Sequence, residues 1–183
     1  QEKDTYFSST RFDNLPYAAG ATWAAARGSD RESALRVLQR IGSVARCLHD
    51  DWSNMLTLIT RLEWMYSLAQ RSELNHPAWM AFGILDVDHF HVELRSAFDH
   101  LAKILHALSA QSGQTPEGSY NVISKWAVEN GPRARRLWEP AIADKVAASR
   151  QLFLEAKAIR EAIVHDGAKT IVFLPADGII FQV

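Results

Sequence analysis

Between Ala78 and Ala110 the row Ile84, Val87, His91, Leu94, Phe98, Leu101, Leu105, Leu108 advances in steps of three and four without a slip. That period lays one stripe along a helix, a seam for packing against neighbouring helices. The same rhythm runs from Leu35 through Leu38, Ile41, Val44 and Leu48. It resumes at Met55, Leu58, Leu62, Met65 and Leu68 and predicts a helix over 31–70. Ser29-Asp30 reads as its N-cap, and the polar run His49–Asn54 either bends it or lies on its solvated face. A short helix is predicted over 120–129. A last long one runs from about Leu137 or Pro140 to His165, its stripe formed by Ile142, Val146, Ser149, Phe153, Ala156, Ile159 and Ile163.

Breaks separate these helices. Arg71 to Pro77 is polar, Gln111 to Gly118 holds Gly, Ser, Thr and Pro, and Asn130-Gly131-Pro132 reads as a stop. After Gly167 the period changes. Thr170–Leu174 and Ile179–Val183 are β-branched and aromatic around Pro175-Ala176-Asp177-Gly178, which predicts a β-hairpin. A lone hairpin is marginal in water, so it must dock on the helices or on a partner. The expected architecture is all-α: an up-and-down four-helix-type bundle over 31–167, an irregular N-terminal arm over 1–30, and the hairpin over 168–183 packed on the bundle.

With 183 residues and 48% apolar content the chain has enough to build one core. A formal charge of −1 excludes a strongly basic nucleic-acid wrapper and leaves room for a local positive patch. Cys47 is the sole cysteine, so no internal disulfide forms and a reducing compartment is expected. It has no orienting partner for a nucleophile, and a buried or inert thiol is the reading. No apolar run reaches the length of a membrane span, and the first residues show no basic-then-apolar leader. These points together lead to the expectation of a cytoplasmic protein. The chain begins at Gln1 rather than Met, which leaves room for residues upstream.

Candidate chemistry lies in Arg/His pairs five residues apart. Arg71 and His76 flank the polar break before Pro77, a place for solvated side chains. Arg95 and His100 lie in mid-helix, where Arg95 stands four residues before Asp99, the spacing of an intrahelical ion pair. Arg160 and His165 close the last helix. Five helical residues set two side chains roughly 140° apart, but Gly167 ends the helix there, and a loosened last turn would let them converge. Alternatively, His165 simply meets the terminal carbonyls and the helix dipole, with Glu161 four residues before it.

Asp86, His89, Glu93 and His100 project to broadly one side of the second long helix, and Asp86-x-x-His89 has ligand-pair spacing. Di-iron bundles require carboxylates from all four helices and two Glu-x-x-His motifs, which the other helices lack. A satisfied polar face, with His91 as a core histidine, is expected instead, and no metal or other cofactor. The six Trp residues are scattered and read as core and interface anchors. Arg133, Arg135 and Arg136 form a compact basic cluster just ahead of the last helix, suited to phosphate contacts or simply solvated.

The run Ala158-Ile159-Arg160-Glu161-Ala162-Ile163-Val164-His165-Asp166-Gly167, closing a long helical protein, resembles the R-x4-6-H signature of the HEPN domains. The stretch Leu94–Ala102 is similar to the second helix of such bundles and would turn Arg95, Asp99 and His100 toward the same cleft. The resemblance spans about 31–167. It implies a helical bundle that dimerises, bringing two Arg/His motifs together, and in active members cleaves RNA without metal. His165 would then serve as general base or acid at the ribose 2′-OH and leaving oxygen, and Arg160 would stabilise charge on the phosphoryl group. Toxin–antitoxin, stress-response or phage-defence settings follow from the same resemblance, with RNA or a cognate antitoxin as partner. The chain departs from the family at Glu161, where Asn, Asp or His often follows the Arg; a carboxylate there opposes a phosphate. Inactive relatives act as interaction modules, so a non-catalytic protein–protein interaction bundle is the alternative.

Overall fold

The computed structural model describes residues 31–71, 78–109, 115–173 and 180–183, and over these the chain is an all-α protein with one small hairpin. The expected N-terminal arm and the Ser29-Asp30 cap lie outside the described residues. Helix α1 spans Arg31–Gln70 and α2 spans Trp79–Ser109. Four shorter helices follow: α3 (Tyr120–Glu129), α4 (Gly131–Leu137), α5 (Pro140–Ala148) and α6 (Arg150–Val164). Strands β1 (Ile171–Phe173) and β2 (Ile180–Gln182) pair antiparallel with Val172 opposite Phe181.

Helix α1 runs unbroken through the polar stretch His49–Asn54. The reason is local. Asp51 is buried while Trp52 stands on the surface, so the stretch keeps the helical alternation of faces. Thr57 and Thr60 hydroxyls donate to the carbonyls of Ser53 and Leu56, 2.9 and 2.8 Å away, which lets β-branched residues stay in the helix.

The chain divides into two compact units. One comprises residues up to Asp50 together with Asp99–Ser149, the other Asp51–Phe98 and Arg150–Val183. In the first, the buried row Ala102, Leu105 and Ser109 of α2 is joined by Tyr120, Ile123 and Ala127 of α3, Ala134 of α4, Trp138, and Ala143 and Val146 of α5. Trp126 meets Trp138 edge-on at 5.6 Å between ring centroids.

The second unit is built on Met55, Leu58 and Met65 of α1, Val87, His91, Ala97 and Phe98 of α2, and Phe153 and Ala156 of α6. Phe153 is fully buried and meets Phe98 edge-on at 5.4 Å. The hairpin docks on α2. The Thr170 hydroxyl donates to the Asp88 carboxylate, and the Val172 side chain lies over Gly83. Thus the hairpin finds the docking surface its marginal stability demands.

Three expectations need correction. The last helix is not continuous: α5 and α6 are separated at Ser149 (φ −76°, ψ −3°). The Asn130-Gly131-Pro132 stop also starts α4, because Pro is accepted in a first helical turn and the Asn130 carbonyl receives the amides of Arg133 and Ala134 at 2.9 Å. Hence Arg133, Arg135 and Arg136 lie on a short helix, not a loop. Finally, Ile142 is exposed and its neighbour Ala143 takes the buried place.

Candidate functional site

Along α6 the buried positions Phe153 and Ala156 are followed four residues later by Arg160, which is half-buried. Its stem therefore continues the inward row while the guanidinium emerges near the helix end. The last regular helical bond is donated by the His165 amide, and the turn widens beyond it. The His165 amide reaches the Glu161 carbonyl at 2.9 Å, and the Asp166 amide reaches the same oxygen at 3.4 Å. The Ala168 amide then turns back to the Ala162 carbonyl at 3.0 Å. Gly167 sits inside this widened loop with φ +66°, a left-handed conformation that glycine adopts without penalty.

Beside this widened turn the two side chains meet. Arg160 Nη1 lies 3.1 Å from His165 Nε2, at the surface. Arg is permanently protonated and has no acceptor atom, so its N–H donates and Nε2 must present a lone pair. The hydrogen bond thus calls for the tautomer that carries its proton on Nδ1. His165 is exposed and open to a ligand. Glu161 points its carboxylate at Lys157 Nζ, 3.4 Å away, so a cation accompanies the negative charge that departs from the family pattern.

Each of the other sequence candidates has its own setting. Arg95 places its guanidinium over the Phe153 ring, 4.9 Å from the centroid. Phe153 is seven residues before Arg160, roughly 10 Å along the helix axis, so that contact is a packing interaction distinct from the Arg160–His165 pair. Asp99 and His100, both half-buried, belong to the first unit. So do Arg133, Arg135 and Arg136, all exposed. Arg135 is paired with Asp144 at 2.8 Å, and Arg136 Nε donates to the Pro132 carbonyl. Arg71 donates to the Ser67 carbonyl, and His76 lies outside the described residues.

The acidic face of α2 also resolves. Asp86 is buried against Arg61 (3.2 Å), and burial pushes its carboxyl above the usual range while Arg61 and His89 oppose the shift. His89 pairs with Glu93 at 2.8 Å. His91 is a core histidine, as its place on the seam predicts. Burial holds its pKa below the ordinary value, with Asp88 pulling the other way. Among the described residues no three His, Cys, Asp or Glu side chains gather as a metal site, and no helix is long and apolar enough to cross a membrane.

No protein-family model, curated protein or solved structure matches this chain.

Proposed function

We propose that this chain is a HEPN-like cytoplasmic protein that binds RNA and cleaves it without a metal, with Arg160 and His165 as the reacting pair. One observation carries the reading: the 3.1 Å contact between Arg160 Nη1 and His165 Nε2 at the exposed end of α6. A lone pair on Nε2 is what a general base needs to take the ribose 2′-OH proton. The 2′-oxygen then attacks the adjacent phosphorus, and the 5′-oxygen leaves with a proton from the imidazolium. The products are a 2′,3′-cyclic phosphate and a 5′-hydroxyl. An incoming phosphate binds the guanidinium more strongly than a neutral imidazole does, so Arg160 shifts onto the substrate and stabilises its developing charge.

A single pair addresses the phosphate from one side. A two-fold homodimer would line both walls, and Val164, exposed beside His165, offers apolar surface for such an interface. RNA cleavage in EDTA is the test. The native chain yields cyclic-phosphate ends, and His165→Ala lowers the rate by about 10²-fold or more. Equal rates for both proteins sink the assignment.

A second reading has its own observation. Phe82, Leu85 and Val92 form an exposed apolar row on α2, with Leu85 62% exposed. Such a row suits a protein partner, a cognate antitoxin among them, in a non-catalytic interaction bundle. Co-purification with a stable protein partner, lost on Leu85→Asp and with no RNA cleavage in either, would favour it.

A further inference from the structure

We infer that Gly167 is a positioning residue for the Arg160–His165 pair: its left-handed backbone, rather than either side chain, holds the two groups in contact. The inference rests on the reading of that pair as the working site, and concerns how the fold assembles it.

In a regular helix, residues five apart point roughly 140° away from each other and are offset by about 7.5 Å along the axis. Arg160 and His165 nevertheless meet at 3.1 Å. The cause lies in the backbone between Glu161 and Ala168. Two successive amides, those of His165 and Asp166, share the Glu161 carbonyl, and the Ala168 amide returns across six residues to Ala162. That return requires the chain to reverse at Gly167, where φ is +66°. With Gly167 in an ordinary right-handed or extended conformation, the Ala168 amide swings away from Ala162. The widened turn is then lost, and the helix end beyond the last regular bond of His165 no longer holds its side chain beside Arg160.

The surroundings make this testable without a packing artefact. A Cβ placed on Gly167 meets nothing within 4 Å. A substitution there therefore acts through backbone preference and not through a clash. Asn tolerates the left-handed region best among non-glycine residues, Ala poorly, and a β-branched residue worst. The expected order of retained contact is Gly, then Asn, then Ala, then Val. The contact population falls by about two- to threefold for Asn and roughly tenfold or more for Val.

The experiment reads the imidazole nitrogens of His165 by ¹⁵N NMR in Gly167→Asn, Gly167→Ala and Gly167→Val, alongside RNA cleavage and thermal unfolding. The expected result is that Asn retains part of the signature of an Nδ1–H tautomer with a hydrogen-bonded Nε2, and more of it than Ala. Val loses it while the helical melting transition stays near the native one, and cleavage follows the same order. If Val proves unable to fold, the Asn and Ala pair decides, since the two differ in left-handed preference and neither meets a neighbour. A native signature in Val, or equal signatures in Asn and Ala, overturns the inference whatever the RNA result. Graded signatures in proteins that all fail to cleave RNA uphold the positioning role and count against the RNA reading instead.

Discussion

At the scale of single residues, Asp86 and His91 bind protons in opposite senses, and each gives a test. Burial raises the Asp86 carboxyl above its value in an unfolded chain, 3.8. Above that pH the folded form holds the proton longer than the unfolded form, so stability falls as pH rises through the raised value. Asp86→Asn removes that dependence. Arg61 is half-exposed and can turn to solvent when its partner loses charge. We therefore expect the variant to match or exceed native stability at pH 7 by up to about 1 kcal/mol, with the gain vanishing toward pH 3. Urea unfolding at the two pH values checks this, and a clear loss at pH 7 contradicts it. His91 behaves the other way. Burial lowers its pKa from 6.5, so the unfolded chain takes the proton first and its contribution is lost as pH falls below 6.5. His91→Gln should flatten the stability profile between pH 6.5 and its lower end. An unchanged slope would show that His91 does not govern it. His91 was readable in sequence from its place on the seam. Asp86 was not, because its partner Arg61 lies on a different helix and no local spacing joins them.

At the scale of elements, the stripes and the ends of the first helices were legible, and the break within the last helix was not. The α2 seam stands as its period implies, since one helix face is decided by its own spacing. The break between α5 and α6 had no such signal: Ala147, Ala148, Ser149 and Arg150 include good helix formers. Its anchor is distant. The Ser149 hydroxyl donates to the Val146 carbonyl at 3.1 Å, so the Tyr120 hydroxyl, 2.6 Å away, donates to Ser149. A contact across 29 residues leaves no local trace. Tyr120→Phe should therefore lower stability by about 1 kcal/mol, read by urea unfolding. No change would mean that the backbone at Ser149 needs no such anchor. The hairpin makes a further test through Gly83. A Cβ there would sit 3.5 Å from Val172, an ordinary contact. Gly83→Ala should be neutral or stabilising by up to about 1 kcal/mol through helix propensity, whereas Gly83→Leu should displace the hairpin. Amide exchange at Ile171 and Val172 distinguishes the two. Fast exchange in the Ala variant would place the contact elsewhere.

At the scale of the whole molecule, the proposed function depends on two side chains that a regular helix would keep apart. Sequence placed Arg160 and His165 on the same helix end and pointed to Gly167 as its terminus. The shared Glu161 carbonyl and the long return to Ala162, which make the pair meet, follow from backbone geometry that residue spacing does not reveal. If the pair is one device, its members are not independent. Rates of RNA cleavage in EDTA for Arg160→Ala, His165→Ala and the double variant form a cycle that measures this directly. The account predicts a double variant about as slow as the worse single one, because losing either group already disables the pair. Two losses that simply multiply, or singles that cleave as fast as the native chain, would contradict it.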